Sequence, residues 1–514
     1  MTADLRRRVA GLVWGVVSGP ALTADDRELL EAGLGGVVLF SRNVRSPEQL
    51  RELTAAIRAA ASNPVVVSID QEGGHIIRIG EPLTRLPSPM AIGATGNARL
   101  AWAVARASAA ELADCGIDVV LAPVLDVAAD RKAVVVGARA YGGDPGLVAR
   151  LGAAAIRGYL EGGVLPVAKH FPGHGRTPVD SHLALPVLAP DPEALEAVDL
   201  VPFRAAVAAG VPGLMTAHVV HGDLDRVRPA SLSAETTRLA RERLGFDGLL
   251  VTDAIVMDAV ARRQPLDAAA LDALLAGADA VMALEPAWRV IDRLESEARS
   301  GRLSGDRLAE ASARCGVFAQ QAASVRRAAA LRPIGAPRHG RIAEHVACES
   351  LTLAGGGPRL PIRTAERIVV LDVRSLRPSP VEDAVGSGTA LGAGLAGRLG
   401  GRHLSLDPAD AAAIAAARRA VHAAERVILL TRDAFADPRS SALVRAIAGE
   451  TVIHVAVRNP VDLELAPSGA LVATYHEGPA VAGALGDALR TGPAAFPGRL
   501  PIALDLVPAE EMAS

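Results

Sequence analysis

Eight short runs of β-branched and other apolar residues, at 12–17, 36–40, 65–70, 119–127, 164–170, 213–219, 249–253 and 280–284, constrain this chain most. Between them lie Ala-, Leu- and Arg-rich stretches of helical period. That alternation is the pattern of βα units around a parallel sheet. Eight such units are the number that closes a (β/α)8 barrel, although the same alternation suits an open doubly wound sheet. A barrel gathers its site at the C-terminal strand ends, and polar residues stand where several runs stop: Ser41-Arg42-Asn43, Asp70-Gln71-Glu72, Asp126, Lys169-His170, His218 and Asp253.

At 514 residues the chain exceeds one ordinary core, so two domains are expected. Helical segments at 287–300 and 304–330 close the first, placed at 1–330. The Pro- and Gly-rich stretch 331–340 reads as a linker. From 341 to 514 the alternation resumes on a smaller scale, with runs at 368–373, 427–431, 452–457 and 471–475. This predicts a second, smaller α/β domain with an open sheet, in which 386–397 is an irregular loop.

Half of the residues are apolar, 22% are charged and the net charge is −3. Neither a nucleic acid nor a membrane surface is the partner such a balance predicts. No apolar run reaches eighteen residues, and the apolar stretch 9–17 after Arg6-Arg7-Arg8 is short, without a convincing cleavage site. Cys115, Cys315 and Cys348 are far apart and odd in number, which predicts buried thiols and not a disulfide framework. A cytoplasmic enzyme is expected, with a monomer as the default state.

The densest chemistry lies in Lys169-His170-Phe171-Pro172-Gly173-His174-Gly175-Arg176-Thr177-Pro178-Val179-Asp180-Ser181-His182. Lys169 stands out because the chain has one other lysine, Lys132, among many arginines. A compact ammonium is therefore needed here where a solvated charge would be arginine. His170 and His174, with Asp180 and His182, also admit a metal reading. Pro172 and Gly173 break the helix on which an i, i+4 pair would converge, so neither metal nor cofactor is expected. The segment lacks the GxxxxGK[ST] frame of a phosphate loop. Asp180 can orient His182, the carboxylate fixing the imidazole tautomer. Asp253 ends an apolar strand either as a cap or as a nucleophile or electrostatic stabiliser. Asp70-Gln71-Glu72-Gly73-Gly74 with Arg78 suits the holding of sugar hydroxyls, or else forms a capped turn with a solvated Glu72. Arg139 is a second ligand contact or a surface residue.

Taken in order, Asp70-Gln71-Glu72-Gly73-Gly74, KHFPGHG…DSH and Thr252-Asp253 resemble the family 3 glycoside hydrolases, and within them the β-N-acetylglucosaminidase branch. Residues 36–43 and 121–127 fit the same pattern, and Pro497-Gly498-Arg499-Leu500-Pro501 resembles the closing motif of two-domain members. The resemblance implies a barrel plus an α/β sandwich, a small carbohydrate substrate and a retaining mechanism. It makes Asp253 the nucleophile and the Asp180–His182 dyad the acid/base, with His182 carrying the proton. Asp70, Arg78, Arg139, Lys169 and His170 match positions that bind a terminal N-acetylglucosamine, freed from cell-wall (peptidoglycan) fragments or chitooligosaccharides. His75 departs from a common arginine, and Ala254 from a frequent acidic residue. Two other enzyme readings stay open: a β-glucosidase or β-xylosidase taking its acid from Glu477, and a phosphorylase. An inactive sugar-binding protein is the non-enzyme alternative.

Overall fold

A computed structural model describes residues 2–506, except 178, 286, 329–332, 357–358, 365, 375–389, 448, 450 and 467–468. Eight parallel strands form the first sheet: β1 (Val13–Gly15), β2 (Gly36–Leu39), β3 (Val66–Ile69), β4 (Val119–Val120), β5 (Leu165–Phe171), β6 (Gly213–Thr216), β7 (Leu249–Thr252) and β8 (Val281–Met282). Each pairs with its neighbours in chain order, and β8 pairs with β1. A parallel bridge between Val251 and Ala280 joins β7 to the start of β8 and closes the ring. The open doubly wound alternative is thereby excluded. β4 is much shorter than the apolar run 119–127, because Pro123 has no N–H to give a ladder. Past it the chain meets β5 through the Val124–Lys169 bridge and through Asp126, which His170 bonds.

The surrounding helices follow local rules. Pro47–Ala60 starts on a Ser46 cap with proline at its first position, where the missing N–H costs nothing. It buries Leu50, Leu53, Thr54 and Ile57, one stripe of helical period. Pro145–Gly162 is capped by Asp144 and ends on left-handed Gly163. Helix Gly305–Ala328 closes the N-terminal mouth of the barrel, where Phe318 meets Trp14 at 6.2 Å between ring centroids.

Two buried aspartates anchor that same end. Asp118, just before β4, accepts from the Val67 N–H and pairs with Arg58 at 2.9 Å and with Arg326. Asp279, just before β8, accepts from the Leu250 N–H and draws in Arg241 from one outer segment and Arg307 and Arg314 from helix Gly305–Ala328.

The second sheet runs β9 (Thr352–Gly355), β10 (Ile368–Val373), β11 (Arg402–Leu406), β12 (Arg426–Thr431), β13 (Val452–Ala456) and β14 (Ala470–Ala473). Its spatial order is β9-β14-β13-β12-β10-β11, open and parallel except for the antiparallel edge strand β9. Two expectations need correcting. Residues 337–340 of the linker already belong to helix Pro337–Ser350, since Pro337 suits a first turn. Of the loop read at 386–397, residues 386–389 lie outside the described residues, and 390–397 belong to helix Ala390–Leu399, because Leu391, Leu395 and Leu399 recur at i, i+4 on a buried face.

The two domains pack directly. Ser88 donates to the Tyr475 carbonyl at 2.8 Å, Gly143 to the Pro501 carbonyl at 2.9 Å and Asn459 to the Arg131 carbonyl at 3.1 Å. The ends of β13 and β14 therefore lie against barrel loops that follow β3 and β4. Among the described residues no helix is long and apolar enough to cross a membrane.

Asp279→Ala leaves three guanidinium groups without their buried carboxylate, a change that costs about 3 kcal/mol. Chemical unfolding should show this loss while KM stays at the wild-type value, because Asp279 lies at the pole opposite the strand ends that carry the site.

Candidate active site

The C-terminal ends of β3 and β5 bring the first group of charges together. Lys169 Nζ lies 2.6 Å from Asp70 and 2.7 Å from Glu72. Arg139, from the turn Gly137–Arg139 after β4, holds Glu72 with two parallel bonds of 2.8 Å. Arg78 stands 3.5 Å from the other oxygen of Asp70. All five expected binding positions but His170 thus share one ion cluster, and the surface reading of Arg139 is wrong. So is a solvated Glu72: it is fully enclosed, and burial, which alone would raise its pKa, is outweighed by Arg139 and Lys169, which hold it well below the usual carboxylate range. Burial disfavours the Lys169 ammonium, but Asp70 and Glu72 raise its pKa. The cluster presents fixed charges that need no reorganisation when a polar ligand arrives.

His170 belongs to a second group. Its Nδ1–H donates to Asp126 at 2.6 Å, and the other Asp126 oxygen accepts from the backbone N–H groups of His170 and His174. This fixes the His170 tautomer and leaves Nε2 for a ligand. Burial would raise the pKa of Asp126, but His170 and these bonds lower it. His174 turns to Ser181 at 3.1 Å. The two imidazoles thus take different partners, and among the described residues no three His, Cys, Asp or Glu side chains are grouped to hold a metal ion.

The loop beyond is pinned at both sides of the dyad. Gly175 packs so closely on the segment after β4 that a Cβ would collide with the Val127 carbonyl oxygen, and the Gly175 carbonyl accepts from the Asp130 N–H. Further on, the Ser181 carbonyl accepts from Ala259, and Val187–Leu188 pairs with Val220–His221. Between these anchors His182 donates Nδ1–H to Asp180 at 2.8 Å, and its backbone N–H donates to the same oxygen. The pKa of Asp180, which burial would raise, is brought down by His182. An imidazole held this way has Nε2 available to give and take a proton.

Asp253 follows β7 directly. Burial would raise its pKa, but the imidazoles of His170, His218 and His182 and the Ala254 N–H at 2.7 Å bring it down to about 2. The electrostatic reach of His182 and His170 to Asp253 shows that the dyad loop, the β5 end and the β7 end converge. His218 accepts from Ser231 at 2.7 Å and donates to the Ala254 carbonyl at 3.0 Å, bracing the turn beside Asp253. The sequence marks Asp126 and His218 as polar strand ends but assigns neither a task. The signal that could have found them is their place at the ends of buried strands in a barrel.

Glu477, the acid in the glucosidase reading, is clamped by Arg432 at 2.7 Å and Arg458 at 3.1 Å. Burial would raise its pKa, but these two arginines lower it. A carboxylate so paired has no proton to donate.

Residues 6–316 match the glycosyl hydrolase family 3 N-terminal domain. The β-hexosaminidase of Alkalilimnicola ehrlichii is 40% identical over 274 residues, covering 52% of this chain and 78% of that protein. One from Pseudomonas aeruginosa is 41% identical over 244 residues, 47% and 72% of the two chains. The structure of a family 3 β-N-acetylglucosaminidase from Paenibacillus sp. str. FPU-7 superposes with a TM-score of 0.91 at 31% identity, over 98% of this chain and 99% of that one. NagZ from Neisseria gonorrhoeae, in complex with N-trifluoroacetyl-D-glucosamine, covers 65% of this chain and 98% of its own at 30% identity and a TM-score of 0.55. On a family match that spans more than half of its length, this chain belongs to glycosyl hydrolase family 3.

Proposed function

We propose that the chain is a retaining exo-β-N-acetylhexosaminidase, which releases terminal β-linked N-acetylglucosamine through a covalent glycosyl-enzyme on Asp253. The observation that carries this reading is the convergence of an ionised, buried-strand aspartate with an imidazole whose Nδ1–H is held by a carboxylate at 2.8 Å. Relatives named β-hexosaminidase across the barrel, and a β-N-acetylglucosaminidase structure alike over both domains, support the choice of sugar. Paired Arg432 and Arg458 on Glu477 weigh against an acid from the second domain.

In this reading Lys169, Asp70, Arg78, Arg139 and His170 grip the terminal sugar, by direct contact or through the ion cluster. The carboxylate of Asp253 attacks the anomeric carbon as His182 Nε2–H protonates the departing oxygen. Neutral His182 then takes a proton from water, which attacks the same carbon and frees Asp253. Asp180 keeps the ring oriented and stabilises its charged form through both steps. The same reading has the natural substrates as cell-wall fragments or chitooligosaccharides, met in the cytoplasm. Three cysteines that stand apart as free thiols suit a reducing compartment.

Asp253→Ala should lower kcat/KM on an aryl N-acetylglucosaminide by roughly 10⁴-fold or more. Wild-type rate in that variant removes the nucleophile from Asp253. His182→Ala should cost about 10²–10⁴-fold on chitobiose, which needs an acid, and far less on a dinitrophenyl glycoside, which does not. Equal losses on the two substrates contradict a proton-donating role. The low pKa of Asp253 sets a sign for pH: the carboxylate is ionised above about 2, so acidification from pH 7 to 4 leaves it a nucleophile. Covalent labelling of the His182→Ala variant by an activated fluorinated glycoside should therefore be flat across that interval, and a fall with a midpoint inside it refutes the assignment of charge.

A further inference from the structure

His75 sits at the tip of the turn after β3, where Gly73 and Ile76 bridge and the Glu72 N–H donates to the Ile76 carbonyl. Its imidazole is only 9% exposed, yet among the described residues it makes no hydrogen bond. Its ring nitrogens are not among the enclosed, unpartnered polar atoms of the described residues, so they are reachable from outside. Around it stand Glu72, Arg78 and Arg139 of the ion cluster and Arg458 from the end of β13. Arg458 is itself held by Glu477, and the adjacent Asn459 donates to the Arg131 carbonyl, so the second domain is fixed against the loop that carries Arg139. Burial first, then Arg458 and Arg139, push the pKa of His75 well below its ordinary value. A neutral imidazole results, with one donor and one acceptor nitrogen.

Resting on the sugar hydrolase reading above, we infer that His75, backed by Arg458 across the domain boundary, is a binding residue for a hydroxyl on the sugar edge remote from the anomeric carbon. The geometry gives the direction. The anomeric carbon belongs at Asp253 on β7 and the leaving group at His182 on the loop after β5. His75 rises instead from the loop after β3, beyond Glu72 and against the second domain. A hydroxyl arriving there meets an acceptor that a guanidinium could not supply, since arginine only donates.

The test uses the full chain, with aryl N-acetylglucosaminide and its 4-deoxy and 6-deoxy analogues, on wild type, His75→Leu and His75→Gln. On the parent sugar His75→Leu should raise KM roughly tenfold and leave kcat within about threefold, with partial recovery in His75→Gln. On one deoxy analogue the wild type and His75→Leu should have equal KM, identifying the hydroxyl. An unchanged KM in both variants overturns the proposal. So does an equal rise on the parent and both analogues, which marks a structural role. The hydrolase reading stands or falls separately, on turnover of the parent sugar by wild type.

Discussion

A single buried carboxylate, Glu72, holds the binding half of the site together. It takes two bonds from Arg139 and a third from Lys169, which also reaches Asp70. These groups come from the loop after β3, the turn after β4 and the end of β5, so one ion cluster fixes the relative positions of three strand ends. Buried charges are expensive unless each is matched, and here two carboxylates face three cations at close range. Such a cluster does little for stability compared with apolar packing. Its value lies in presenting hydrogen-bonding groups in one arrangement before a ligand arrives.

The reacting half is built on a different principle. Asp253 is rooted in β7 and kept ionised by imidazoles and the Ala254 N–H. The dyad of Asp180 and His182 instead rides a loop anchored at Gly175 and Ser181. Asp253 is held by its strand, and the dyad by bonds from Ser181, which lies between its two members. That division suits the proposed reaction, in which Asp253 would approach one carbon along one line and His182 would serve first a leaving oxygen and then water.

The second domain contributes by position and charge. Its strand ends β13 and β14 abut the loops carrying Glu72 and Arg139, and Glu477 is consumed in neutralising Arg432 and Arg458. Pairing of this kind lowers the pKa of Glu477 and leaves it no proton to donate, so in the proposed reaction that role falls to the imidazole of the barrel. The two-arginine clamp and the carboxylate-held histidine are thus complementary facts about where a proton can be stored.

Much of this was legible in the chain. Apolar alternation with helical spacing set eight βα units and a second, smaller repeat of the pattern, because strand and helix periods are local properties. The ordered motifs at Asp70, Lys169 to His182 and Asp253 pointed to sugar chemistry, since residue types and their order along the chain survive without coordinates. Ring closure, the short β4 and the helix at Ala390–Leu399 were less accessible, because ladder pairing and burial depend on distant partners. Only the tertiary structure decided that Glu72 is an internal clamp, that Arg139 is buried, that Asp126 sets His170 and that Glu477 is spent on arginines. The reason is physical. A sequence states which side chains are available, whereas the charge state and task of each depend on which others share its space after strands far apart in the chain have been brought to one rim.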